Sequence, residues 1–199
     1  MNSSWLYETT LKGNLVTLAP LKREHAGGLA EAAADGELWK LWYTSIPNSK
    51  TIDSYLDQAF TDQANGRALL FVVIENASQK IIGTTRYCNA DPLNKRVEIG
   101  YTWYAKSFQK TGTNTECKYL LLTHAFETLN TIAVEFRTHW HNQASRAAIA
   151  RLGAKQDGIL RNHQKNAEGI YRDTVVFSII DQEWLTAKKG LEYKLAFEY

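Results

Sequence analysis

"SFQKTGTNTECKYLLLTHAFETLN", Ser107 to Asn130, joins a polar, glycine-bearing turn directly to a run with helical apolar spacing. Tyr119, Leu122, Phe126 and Leu129 fall on one helical stripe with Leu121 and Ala125 beside it, which predicts a helix beginning near Asn114 or Thr115. The turn therefore sits at a helix N-terminus, where unpaired backbone N–H groups and about half a positive charge favour an anion. Gly112 permits close approach, Gln109 and Lys110 add side-chain donors, and Thr111, Thr113 and Thr115 supply hydroxyls, so the turn reads as a pyrophosphate cradle. A plainer reading competes. Thr113 with Glu116 matches S/T-x-x-E, a capping box that satisfies the helix end unaided. Neither G-x-x-x-x-G-K-[ST] nor G-x-G-x-x-G occurs, which removes the P-loop and dinucleotide-fold readings.

On either side of this stretch the apolar period alternates. "NLVTLAPL" reads as a strand, and "KREHAGGLAEAAADGELWKLW" turns helical, weakened by Gly27 and Gly28. A second helix follows in "TIDSYLDQAFTDQANG", where Ile52, Tyr55, Leu56, Ala59 and Phe60 share a face that stops at Gly66. "LLFVVIE", "KIIGTTRYC" and "KRVEIGYTWYA" are successive strands of an antiparallel meander. After the opening helix come a strand, "TIAVEFRTHW", a short helix, "NQASRAAIARLGA", and two closing strands, "GILRNHQ" and "YRDTVVFSII". Three strands without intervening helices exclude a doubly wound parallel fold. The tail "EWLTAKKGLEYKLAFEY" reads either as a short helix or as a surface segment, and could pack on a partner subunit in a homodimer.

A chain of 199 residues that is 44% hydrophobic is long enough to bury a full core, and one domain over 1–199 is expected. The net charge of +2, without long runs of like charge, gives no argument for a nucleic-acid or acidic-membrane partner. No basic segment followed by an apolar stretch opens the chain, so a cytoplasmic location is expected. Cys88 and Cys117 stand outside any motif spacing and read as two buried thiols.

The ordered motifs carry a family resemblance. "QKTGTN", Gln109 to Asn114, follows a strand, opens a helix and resembles the [RQ]-x-x-G-x-[GA] motif of the Gcn5-related N-acetyltransferase (GNAT) superfamily, with Asn114 where Gly or Ala is usual. "VEIGYTW", "TECKYLLLTHAFE" and "HNQASRAAIARLGAKQDGILR" are similar to the RimJ/RimL-like ribosomal-protein N-terminal acetyltransferase branch, and the combined match covers roughly residues 14–184. The resemblance implies a mixed α+β fold, with a central, mostly antiparallel twisted sheet of about seven strands flanked by about four helices. It also implies acetyl-coenzyme A in a gap opened by a bulge in "EIGYTWY", with its pyrophosphate on the turn at Gln109 to Thr115 and no metal.

Site residues follow from both sources. Glu98 alternates with Val97 and Ile99, so it shares a face with Gly100, the expected cleft face, and would accept the proton of an amine. Otherwise it is a surface carboxylate paired with Arg96 or Arg86. Strand amides from Tyr101 to Trp103 would polarise the acetyl carbonyl. Asn142 is a preferred helix N-cap; the resemblance has it orient the pantetheine arm while Ser145, one turn in, assists the departing thiolate. His139 and His141 lack a third ligand at metal spacing and read as structural or substrate-lining groups. His163 reads as a solvated loop residue or as one bordering the acceptor pocket, and Trp39, Trp42 and Tyr43 as core or as walls of the acceptor side. The expected activity is direct acetyl transfer to a primary amine, of a protein N-terminus or a small molecule. The alternative is a coenzyme A-binding sensory module without transfer chemistry. The acceptor-side segments, 27–50 and 160–172, carry no decodable motif.

Overall fold

The computed structural model describes residues 5–166 and 168–198; the ends of the expected 1–199 unit and position 167 lie outside the described residues. Strands β1 (Leu11–Lys12) and β2 (Val16–Pro20) form an opening hairpin, followed by helices α1 (Ala26–Ala34) and α2 (Ile52–Ala64). The meander comprises β3 (Leu69–Glu75), β4 (Ile81–Asp91) and β5 (Arg96–Tyr104). Then come α3 (Gly112–Thr123), β6 (Ala133–His139), α4 (Gln143–Arg151), β7 (Lys155–Lys165), β8 (Tyr171–Ile180) and α5 (Asp181–Phe197). The additions to the expected seven strands and four helices are the two-residue β1 and the tail, which is helical: α5 buries Trp184, Ala187 and Leu191, with Trp184 stacked on Phe126.

The strands form one sheet in the order β1-β2-β3-β4-β5-β6-β8-β7, and every pairing is antiparallel except β5 with β6. One face packs under α3, α4 and α5 through residues such as Phe71, Tyr87, Leu121, Phe136 and Leu191. The other face packs under α1 and α2 through Leu29, Leu56, Leu70 and Trp103. Cys88 and Cys117 are buried free thiols.

Two features of this architecture make a site. First, β5 and β6 pair only from Arg96 with Ala133 to Glu98 with Glu135; past that rung β5 continues to Tyr104 and β6 to His139 without a mutual ladder. The sheet therefore splits at its middle. Because the two strands are parallel, their C-terminal ends lie at the same end of the sheet, and each leads into a helix, α3 and α4. Second, β4 pairs Thr84 with Trp103 and Arg86 with Gly100, so Tyr101 and Thr102 together face Thr85 in a β-bulge. Tyr101 adopts φ +52°, and the alternation of β5 reverses across it: Val97 and Ile99 face α3 before the bulge, Tyr104 after it.

Helix α3 begins at Gly112, two residues before the predicted start, because Thr111 rather than Thr113 is its cap: the Thr111 hydroxyl accepts from the Thr113 amide at 3.3 Å. Glu116 does not return to the cap. Its carboxylate is buried and accepts the backbone N–H groups of Asn14, Leu15 and Val16 at 2.7–2.8 Å, docking the β1–β2 turn onto α3. The approach is close enough to require glycine at 13, where a Cβ would sit 2.4 Å from Glu116 Oε2. Glu116→Ala leaves three amides without an acceptor and is expected to lower unfolding free energy by about 2–4 kcal/mol, while Glu116→Gln, which keeps one oxygen acceptor, loses less. Urea titration of the three proteins measures the order; equal stability of Glu116→Ala and parent would refute it.

Candidate active site

The rung that closes the split sets the electrostatics. Glu98 and Glu135 are cross-strand neighbours, two carboxylates side by side. Glu135 is held by Arg96 at 2.6 Å and Arg137 at 3.0 Å; burial alone would raise its pKa, but these hydrogen bonds outweigh burial and hold it below the ordinary range. Glu98 is only 7% exposed, and burial raises its pKa against the lowering pull of Asn89, whose Nδ2 donates at 2.8 Å, and of Arg137 at 3.5 Å. One carboxylate stays firmly ionised while its neighbour moves toward neutrality, a separation suited to acid–base work. The partner expected for a merely structural Glu98 is different in fact, since Arg96 serves Glu135 and Arg86 lies elsewhere. Gly100 leaves room for the carboxylate: a Cβ there would meet Glu98 Oε1 and Cys88 Sγ at 3.1 Å.

Along the split, Tyr101 is 55% exposed and stacks on the Arg86 guanidinium, whose carbon lies 3.8 Å from the ring centroid. Trp103 points to the α1 and α2 side and is buried. The turn into α3 is built from several local bonds. Gln109 Nε2 donates to the Tyr104 carbonyl at 3.0 Å, tying the turn to the end of β5 and occupying one of its two amide hydrogens. Thr111 Oγ1 donates to the Phe108 carbonyl at 2.8 Å and lies 3.0 Å from Thr113 Oγ1. Thr113 and Thr115 are buried, as is Gly112, and Asn114 follows them in the first turn of α3. The left-handed residue is Lys110, φ +61°, not Asn114, and its side chain is exposed. The polar turn is thus a rigid frame whose outward cation is Lys110.

Across the split, Asn142 caps α4: its Oδ1 accepts the Ser145 amide at 3.0 Å. Ser145 is half-buried, and among the described residues none hydrogen-bonds its hydroxyl. His139 ends β6, so His141 stands in the turn beyond rather than on the strand, and its N–H donates to His139 Nδ1 at 3.0 Å. The Trp42 ring, 64% exposed, lies 5.1 Å from His139 and 5.5 Å from His141, with Tyr43 beside it, whereas Trp39 packs on the α1 and α2 core. His163 lies within β7, not in a loop, with Nδ1 3.1 Å from Thr174 Oγ1. Among the described residues no group of three or more His, Cys, Asp or Glu could hold a metal ion.

Lys118 was not singled out from the sequence. It lies in α3 one turn before Leu122, so a lysine within the apolar stripe was the available signal. It is buried, with Nζ donating to Thr102 Oγ1 at 2.6 Å, and Thr102 in turn lies 2.8 Å from Thr85 Oγ1. This chain of three groups pins the far side of the bulge.

With this geometry established, residues 16–155 match the "Acetyltransferase (GNAT) domain" family. The chain belongs to that family. It is an acetyl-coenzyme A-dependent acyltransferase by membership, and the expected mixed fold and RimJ/RimL-like kinship stand with it. One relative is YdaF of Bacillus subtilis (strain 168), provisionally named a ribosomal N-acetyltransferase, 29% identical over 173 residues, covering 85% of this chain and 93% of YdaF. A GCN5-related N-acetyltransferase from Brucella melitensis superposes with a TM-score of 0.85 at 29% identity, covering 97% of this chain and 88% of that one. Mycobacterium smegmatis RimJ in complex with CoA-disulfide shares the fold, with a TM-score of 0.75 at 21% identity and coverage of 94% and 93%. No helix among the described residues is long and apolar enough to cross a membrane.

Burial lowers the pKa of Lys118 to about 8. Between that value and its unfolded value near 10.4 the unfolded chain binds more protons than the folded one, so this group makes stability rise with pH across that window. Below about pH 8 the buried charge costs on the order of 3 kcal/mol. The difference in unfolding free energy between parent and Lys118→Met should therefore change between pH 7.5 and 10, in favour of the parent at the higher pH; a constant difference would show an unperturbed lysine.

Proposed function

We propose that the chain acts as one acetyltransferase domain over 1–199, its core at residues 14–184, that moves the acetyl group of acetyl-coenzyme A directly to a primary amine, of a protein N-terminus or of a small molecule. The observation that supports this most is the Glu98–Glu135 rung at the point where β5 and β6 part. A carboxylate whose pKa is raised by burial, beside one that is not, is a suitable acceptor for an ammonium proton at neutral pH.

The residues present fit the cosubstrate. The edge of β5 beyond Glu98 carries main-chain groups free of β6 pairing, the first turn of α3 lies at the end of that strand, and Lys110 stands exposed beside it. Acetyl-coenzyme A supplies an activated acetyl thioester and a pyrophosphate. In this reading the frame from Gln109 to Thr115 binds the pyrophosphate through main-chain amides and Lys110. Amides between Tyr101 and Trp103 polarise the carbonyl, Asn142 orients the arm, and Ser145 donates a hydrogen bond to the departing sulfur. Glu98 removes the amine proton. No cysteine contributes a nucleophile: Cys88 and Cys117 are buried, and burial raises both thiols, Cys117 to about 12. The YdaF kinship supports a peptide N-terminus as one class of acceptor.

Release of free thiol from acetyl-coenzyme A on addition of an amine separates this enzyme from a sensory module of the same fold. Glu98→Gln should lower turnover by roughly 10²–10⁴, with the loss shrinking as pH rises from 6 to 9 and free amine accumulates. Ser145→Ala should also lower turnover, but with a pH profile parallel to the parent's, since it acts on the leaving sulfur. Parent-like activity of Glu98→Gln across this range would exclude Glu98 as the base. Gly112 is buried, so a side chain there disturbs the fold as well as the ligand. Lys110→Ala is the cleaner probe of the cradle and should weaken coenzyme A binding by about threefold to tenfold in calorimetry, with a reduced salt dependence; unchanged affinity would move the pyrophosphate elsewhere.

A further inference from the structure

The sheet face under α1 and α2 is charged around the split, and most of its cations are matched. Arg96 holds Glu135, Arg137 bridges Glu98 and Glu135, and Arg67 holds Asp62 at 2.9 Å. Two arginines are unmatched. Arg86, on β4, is 3% exposed and forms no ion pair with any described residue; its guanidinium carbon lies 5.4 Å from the Tyr55 ring centroid and 3.8 Å from that of Tyr101. Arg172, on β8, also lacks an ion pair among the described residues, and its Nε is buried without a hydrogen-bond partner. Thr174 pairs with His139 at the end of β6, so Arg172, two residues earlier on β8 and on the same face, and Arg86, opposite Gly100 on β4, lie on opposite sides of the split. The Tyr55 hydroxyl beside Arg86 is likewise buried and unpartnered, and Tyr55 walls a cleft with Ile46 and Thr51.

Buried charges are costly and are normally paired, so Arg86, and the half-buried Arg172 with its unpartnered Nε, leave positive charge that an anionic ligand would match. The planar donor array of arginine suits a carboxylate. Glu98 and Glu135 stand on the same face and would repel a dianion more strongly than a single negative charge, which favours a carboxylate over a phosphate.

We propose that the acceptor amine carries a carboxylate close to its nitrogen, received by Arg172 with Arg86 behind Tyr101, so that the amine is presented to Glu98. This rests on the acetyl-transfer reading above. Free amino acids and peptides with an acidic first residue share this chemistry. Glu98 is then the base for an amine whose own carboxylate is held away by the two arginines.

The test measures kcat/KM by thiol release for matched acceptors: peptides beginning with Asp or Glu against the same peptides beginning with Asn or Gln, and free amino acids against their amides. The acidic member of each pair should be favoured by about tenfold or more, chiefly through KM, and in Arg172→Gln the ratio should fall toward one. The pair with the larger ratio distinguishes the peptide from the free amino acid. Equal kcat/KM for acid and amide in both pairs, or a preference that survives in Arg172→Gln and in Arg86→Lys, overturns the proposal. Should no acceptor release thiol, the acetyl-transfer reading fails on its own, and calorimetry with the Asp-initiated peptide still decides the anion site. Binding to the parent and not to folded Arg172→Gln upholds it; absence of binding to the parent overturns it.

Discussion

The site depends on one constraint: two parallel strands that share three rungs and then diverge. Up to Glu98, β5 and β6 satisfy each other's backbone groups; beyond it, each presents an unpaired edge to its neighbour. An open edge inside a sheet is normally a liability, because buried N–H and C=O groups without partners are expensive. Here the divergence is stabilised from outside. The bulge at Tyr101 turns β5 away, the Thr85–Thr102–Lys118 chain fixes that turn from the α3 side, and Arg86 fixes it from the other.

Charge is distributed to the same end. The split is lined by groups with different tasks, and the number of arginine partners rather than net charge differentiates them. Glu98 and Glu135 are identical in chemistry and share one rung, yet only the latter is gripped by two arginines. The opposite imbalance, two arginines without a carboxylate, lies a few residues away on the same face. A chain of near-neutral net charge thus carries strong local fields that its composition conceals.

Much of this was legible in the sequence. The three-strand meander, α2 ending before Gly66, and the face chosen by Glu98 follow from apolar period alone, since alternation before the bulge is regular. The start of α3 was missed by two residues because Thr111 and Thr113 are both plausible caps, and the choice was made by Glu116, which looked local and is not: its partners are about one hundred positions earlier. The left-handed Lys110 and Tyr101 carry no glycine or asparagine to announce them. That Arg86 and Arg172 flank the split depends on strand order, which no local pattern encodes. The helical tail was undecided because its apolar residues are divided between a buried side, Trp184, Ala187 and Leu191, and an exposed one, Leu185, Tyr193 and Phe197.

The bond from Glu116 to the first hairpin also governs the order of events on the ribosome. The turn at Gly13 to Val16 emerges first, but the carboxylate that holds it is translated some hundred residues later, roughly five to twenty seconds at ordinary elongation rates. During that interval β2 waits for β3 on one side and for α3 on the other. The β1–β2 hairpin is therefore made long before its partner and is among the last segments to lock, a long-range closure that completes only after the centre of the sheet has formed.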